Sequence, residues 1–253
     1  LTFIIVIYIM NKTLRYFNSF VILILFVVCV TFIIIDYLIY KEPLENSINY
    51  DDYVIVCARY SKNVDFLNEI NIRNVILEKN HELPNKANEA TSYLYYIIQN
   101  YDNLPENIIF IHDENESWHH SGKITEEIDS WINEYEKQGK TYYEFNSIVF
   151  NTGTTFIPDD VYDSNIAFKH FWDTVMQDSY GDYNTIKTTP GKCCAQFIIS
   201  KNNILKNPKS FYENYYNWLV DKTNGEGNGK SDDIYSGWST SRYAEWTWRF
   251  IFL

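Results

Sequence analysis

Apolar and polar positions fall into three regimes along the chain. From Phe20 to Ile35 every residue is apolar except Thr31, and the run continues through Asp36 to Tyr40. That spans about 20 residues, the length a bilayer core asks of a helix. From Tyr53 to Lys137, short apolar runs alternate with stretches of helical period. Residues 53–58, 74–78 and 107–112 read as buried strands, and residues 64–70 as a short helix. Residues 85–101 place Ala90, Tyr93, Leu94, Ile97 and Ile98 on one helical face, and residues 124–137 are amphipathic in the same way. The last third is looser. Residues 167–177 read as helical, 195–200 as a strand, and 208–220 as a helix with Pro208 in its first turn. Residues 223–240, rich in Gly, Ser and Asp, read as a loop, and 242–252 as a terminal helix or strand.

Strands alternating with helices imply an α/β domain, with a mostly parallel central sheet flanked by helices. The expected organisation is a tail over 1–19, a transmembrane anchor over 20–40, a polar stem over 41–52 and a single α/β domain over 53–253. With Leu at position 1, Met10 reads as a candidate start. A cleaved signal peptide would want a small-residue cleavage site after its apolar core. Asp36-Tyr37-Leu38-Ile39-Tyr40 offers none, which favours an uncleaved anchor. Lys12 and Arg15 precede the segment and only Lys41 follows closely. That bias puts the N-terminus in the cytoplasm and the domain on the lumenal or exterior side of a membrane.

The formal net charge is -12, and the acidity lies almost wholly beyond the anchor. Such a body repels phosphate backbones, so nucleic acid is a poor partner. An aromatic share of 18% argues for a packed domain over disorder. The four cysteines, Cys29, Cys57, Cys193 and Cys194, show no metal-binding spacing. Core packing accounts for Cys57 and one of the vicinal pair, with a bridge from Cys57 to Cys193 or Cys194 left open.

Ligands of open α/β sheets bind beyond the carboxyl ends of the parallel strands, and this sequence is polar there. The first strand ends in Arg59-Tyr60-Ser61 and the second runs into Lys79-Asn80. The third ends in His112-Asp113-Glu114-Asn115, followed by Trp118-His119-His120. Oxygen ligands such as Asp113 and Asn115 suit Mg2+ or Mn2+. A solvated acidic loop with a packing histidine pair explains the same residues. Gly225 to Ser231 mimics a phosphate loop but has Asn224 where the motif needs glycine, and no strand feeds it. Glu245 lies among Tyr243, Trp246, Trp248, Phe250 and Phe252. Aromatic surroundings raise a carboxylate's pKa, which suits a base working near neutral pH. On a helix, Arg242 and Arg249 would instead pair with it.

The run Val54-Ile55-Val56-Cys57-Ala58-Arg59-Tyr60-Ser61, with Asp65-Phe66-Leu67, resembles the opening of the domain-of-unknown-function family number 3431. Leu83-Pro84-Asn85-Lys86-Ala87-Asn88-Glu89-Ala90, Cys193 to Ser200, and Glu245-Trp246-Thr247-Trp248 are similar to its later motifs, in order. The family usually has glycine where Ala87 stands and often glutamine where His112 stands. The resemblance implies no established activity. Its layout looks like that of nucleotide-sugar (GT-A-like) glycosyltransferases, an analogy of fold alone. On that analogy Arg59 and Tyr60 contact the nucleotide. Asp113 and Asn115 approach a metal-bound diphosphate, and Glu245 with Asp113 forms the catalytic group. Asn85, Glu89, His112, His119, His120 and Arg242 complete the binding of nucleotide sugar and glycan acceptor. For Asn85 and Glu89, helix capping and dipole complementation are the competing roles. The alternative is a non-catalytic, membrane-tethered binding or structural protein on the same fold. An enzyme should gather Asp113, His119 and Arg59 around one cleft, whereas a binding module should scatter them.

Overall fold

Strand β1 (Tyr53–Arg59) is buried along almost its whole length, because both faces of the sheet are covered. In the computed structural model, the described residues are 27–28, 30–31, 48–81, 83–118, 120–146, 149–150, 168–185, 191–192, 195–225 and 233–253. The chain divides into two compact units, Leu1–Ser47 and Ile48–Leu253. In the first, Val27, Val28, Val30 and Thr31 are helical, and the Thr31 hydroxyl donates to the Val27 carbonyl at 2.7 Å. Apart from those four, the anchor expected at 20–40 lies outside the described residues. Among the described residues no helix is long and apolar enough to cross a membrane.

In the second unit, β1 is flanked by β2 (Arg73–Glu78) and β3 (Asn107–His112), both parallel to it. Strand β4 is Tyr142–Glu144, and β5 (Val149–Phe150) pairs with β6 (Gly191–Lys192) in a small separate sheet. Strand β7 (Phe197–Ser200) runs antiparallel to both β3 and β4. The order is β2-β1-β3-β7-β4. The sheet is therefore mixed, which corrects the expectation of a mostly parallel one. The reason is β7: it enters the sheet from the far end, after a long excursion, and fills the slot between β3 and β4.

Alternation along the strands sorts the core into two layers. Val54, Val56, Ile108, Phe110, Phe197 and Ile199 face the layer built by α1 (Glu89–Asn100), α5 (Lys209–Lys222) and α6 (Gly237–Phe252). Tyr53, Ile55, Cys57, Ile109, Ile111 and Ile198 face α2 (Ile124–Lys137), which contributes Ile128, Trp131, Ile132 and Tyr135. The α6 layer is rich in rings: Tyr93 packs on Phe110 at 4.5 Å between centroids, and Trp248 stacks on Phe252 at 5.7 Å. A π-helical turn at Trp172–Met176 leads into α3 (Gln177–Tyr180), and α4 is Lys201–Ile204.

Element boundaries depart from the sequence expectation in four places. The short helix expected at 64–70 is a 3-10 helix over Asp65–Glu69. Helix α1 starts at Glu89, four residues later than expected, because Ala87 and Asn88 are held at φ 46° and 47°, a left-handed backbone no helix continues. Glycine is at ease in such a backbone, whereas the alanine that stands at position 87 is not. The loop expected to run to Thr240 gives way to α6 at Gly237, where Ser236 accepts a capping hydrogen bond from the Ser239 amide. Pro208 precedes α5 instead of sitting inside its first turn.

Candidate functional site

The connection after β1 leads left, to β2. The connection after β3 leads right, through α2 towards β4. The carboxyl ends of β1 and β3 therefore flank a topological switch point, where open α/β sheets leave a crevice. Ala58 and His112 are register partners at its floor.

Two helices bring carboxylates to this region. Glu89 is the first residue of α1 and Glu245 lies two turns into α6. The starts of the two helices are tied by Asn88, whose Nδ2 donates to Ser241 Oγ at 2.9 Å. Glu89 Oε2 lies 3.8 Å from His112 Nε2. Burial raises the pKa of Glu89, against the pull of its own backbone amide and of Lys79. Glu245 rises to about 8, first from burial and then from the Glu89 charge, opposed by Arg242. Burial also takes the His112 imidazole down to about 4, so it is neutral at working pH. Lys79, at the end of β2, is lowered to about 8 by burial despite Glu89, and its Nζ donates to the Lys86 carbonyl and Thr91 Oγ1 at 3.1 and 3.3 Å. Burial disfavours the ionised form of both carboxylates, and the Glu89 charge adds to that effect at Glu245.

A second group of residues forms the rim. Asp113 Oδ2 accepts from the backbone amides of Tyr60, Ser61 and Lys62 at 2.9, 3.1 and 3.1 Å. It fastens the loop after β3 to the loop after β1. Arg59 is held by Glu78 at 2.7 Å and by the Lys62 carbonyl at 2.9 Å, while the Tyr60 ring is exposed. Asn115 turns away: its Oδ1 accepts from the Thr125 amide at 3.1 Å and its Nδ2 donates to Thr125 Oγ1, capping α2 from across the loop.

The structure thus gathers Glu89, Glu245 and His112, with Arg242 in electrostatic reach and its guanidinium 3.7 Å over the Trp238 ring. It gathers Arg59, Tyr60 and Asp113 separately, at the rim. Asn85 is buried in the segment leading to α1. His120 packs edge-on to Trp131 and near Phe145 in the α2 layer, apart from the carboxylates. His119 lies outside the described residues. Arg249, the expected partner of Glu245, is instead bonded to the buried Glu144 at 3.1 Å. Lys79 and Tyr93 belong to the site and were not singled out by sequence. The polar end of β2 was the one signal for Lys79; Tyr93 was hidden in a helical face that reads as core.

The donor set bears on the Mg2+ or Mn2+ expectation. Asn115 is committed to a helix N-terminus and one Asp113 oxygen to three amides. Among the described residues no three His, Cys, Asp or Glu side chains group as metal ligands. This pair does not fit a resident metal centre.

A family model described as "Protein of unknown function (DUF3431)" matches residues 54–253. No curated protein and no solved structure matches the chain.

Proposed function

We infer, from the premise that the chain belongs to the DUF3431 family, that its α/β domain is a glycosyltransferase-like enzyme. It would carry a sugar from a nucleotide donor to a hydroxyl of a glycan acceptor. The observation that carries this reading is Glu89, 3.8 Å from His112 at the switch-point floor, with Glu245 within reach of its charge and raised to about 8. Such a pair keeps one proton between two oxygens near neutral pH. The ionised partner can take the proton of an attacking hydroxyl as the new sugar–oxygen bond forms and the bond to the diphosphate breaks. Two poorly solvated like charges cost stability, and strongly shifted carboxylates in a crevice are what acid–base work requires. That favours an enzyme over a purely binding or structural protein. Neutral His112 would orient Glu89, and Arg59 and Tyr60 at the rim would meet the nucleotide. A divalent ion carried in with the diphosphate would neutralise phosphate charge. The apolar run at 20–40 supports a single-pass anchor with the domain on the lumenal or exterior side.

The test is a thermal-shift screen of the full chain in detergent against uridine and guanosine diphosphosugars, with and without Mn2+. A ligand of the native state raises the melting temperature. Glu245→Gln should keep that stabilisation and lose about a hundredfold or more of sugar turnover, the usual worth of a group that shares in proton transfer. Absence of any donor-induced shift, or full turnover in Glu245→Gln, would sink the reading.

A further inference from the structure

Tyr93 holds a polar atom that the fold does not use. Its ring is core: it lies 4.5 Å from Phe110, 6.0 Å from Phe197 and 6.4 Å from Trp248, centroid to centroid. Its hydroxyl is fully buried and makes no hydrogen bond. Leaving a buried hydroxyl unbonded costs about 1–3 kcal/mol, and a phenylalanine would fill the same space without that cost. Buried tyrosines elsewhere in the domain find partners: Tyr135 donates to Asn107, Tyr212 to the Ile204 carbonyl and Tyr243 to the Ile234 carbonyl. The odd one out lies at the candidate site. Side chains on a helix lean towards its N-terminus, so the Tyr93 hydroxyl lies towards Glu89, one turn earlier on α1. Glu89, Cys57, Asp113 and Glu245 all act on the hydroxyl, and with burial they hold it firmly protonated. It is a hydrogen-bond donor without an acceptor, within electrostatic reach of two carboxylates that are themselves partly exposed.

We propose that Tyr93 is a substrate-binding residue whose hydroxyl donates a hydrogen bond to an alcohol oxygen of the acceptor, making this a subsite for a neutral sugar hydroxyl and not for an anionic group. It rests on the reading of Glu89 and Glu245 as the working pair. An alcohol matches the site on both sides. Its oxygen accepts from Tyr93 and its proton goes to a carboxylate. A carboxylate or phosphate in the same place would set a further negative charge against Glu89 and Glu245 in poorly solvated surroundings, where repulsion is strong.

The experiment uses the full chain and Tyr93→Phe. Both are titrated, by ligand-observed NMR, with methyl glycosides of glucose, galactose and mannose and with the corresponding methyl uronides. At least one glycoside should bind the native chain at millimolar concentration and bind Tyr93→Phe about five- to tenfold more weakly, the worth of one hydrogen bond. The uronides should not compete. Tyr93→Phe should melt no lower than the native chain, because the hydroxyl bonds nothing within the fold. Equal glycoside binding by the two proteins, equal binding of uronides, no glycoside binding at all, or a variant melting several degrees lower would each overturn the proposal. Its failure is separable from that of the transferase reading. Glycoside binding that depends on Tyr93 without any donor-induced shift removes the transfer reaction and keeps the subsite; donor turnover with Tyr93-independent glycoside binding does the reverse.

Discussion

Glu245 keeps its proton to about pH 8 in the folded chain, against an ordinary value of 4.5. Between those limits the folded state binds more protons than the unfolded one, so stability falls as pH rises. The contribution is complete below about 4.5 and gone above about 8. His112 works in the opposite sense. Its pKa falls from 6.5 to about 4, so its contribution is lost as pH drops through that window. Comparison with Glu245→Gln isolates the glutamate. From pH 5 to 8 the variant should gain stability relative to the native chain, with a ceiling of about 4 kcal/mol over that range. Urea unfolding at three pH values measures it, and a pH-independent difference would show that Glu245 is not held protonated. At this scale the sequence was partly legible. Aromatic neighbours pointed to a raised pKa for Glu245, but the charge that adds most to it belongs to Glu89, remote in sequence. Arg249 is four residues from Glu245 yet bonds Glu144, a buried carboxylate that β4 presents to it. Tyr93 obeys the helical period with its ring and departs from it with one oxygen. No periodicity separates the two.

Helix α6 carries Glu245, and its first turn hangs on Ser236, whose Oγ accepts from the Ser239 amide at 3.2 Å. Ser236→Ala should cost about 1 kcal/mol through loss of this cap. Chemical denaturation should show a lower midpoint with an unchanged slope; an unchanged midpoint would mean that the bond contributes nothing. Elements with several turns or a continuous apolar run were legible: β1, β3, α2 and α5 fall within two residues of expectation. The start of α6 was not, because Ser236-Gly237 closes a run of Gly, Ser and Asp that reads as loop. Strand β4 has three residues, too few to show alternation, and exists because β7 lies beside it. Whether β7 pairs parallel or antiparallel depends on where the preceding excursion returns the chain, which its own residues do not encode.

For the whole molecule, the acidic domain and the apolar run at 20–40 lead to one expectation about behaviour in cells. Washing membranes at alkaline pH should leave the full-length chain in the pellet. A shortened form in the supernatant would mean that the apolar run is a cleaved signal. The α/β class, a sheet flanked by helices, was legible, because strands and helices alternate along much of the chain. The mixed sheet was not, for the reason given by β7, and that strand has a further consequence. Proteins leave the ribosome N-terminus first, at about 5–20 residues per second. Strand β3 emerges with β1 on one side and nothing on the other, since its second neighbour is β7, and β4 has no other neighbour in this sheet. For the seconds that separate their synthesis, the nascent chain presents an open row of amides and carbonyls on a strand of near-continuous Ile and Phe. Such an edge is a template for pairing with another chain. Translation arrested between Glu144 and Phe197 should therefore yield aggregating products, whereas arrest beyond Phe252 should not. Insertion of the last strand closes the sheet and ends its period of risk.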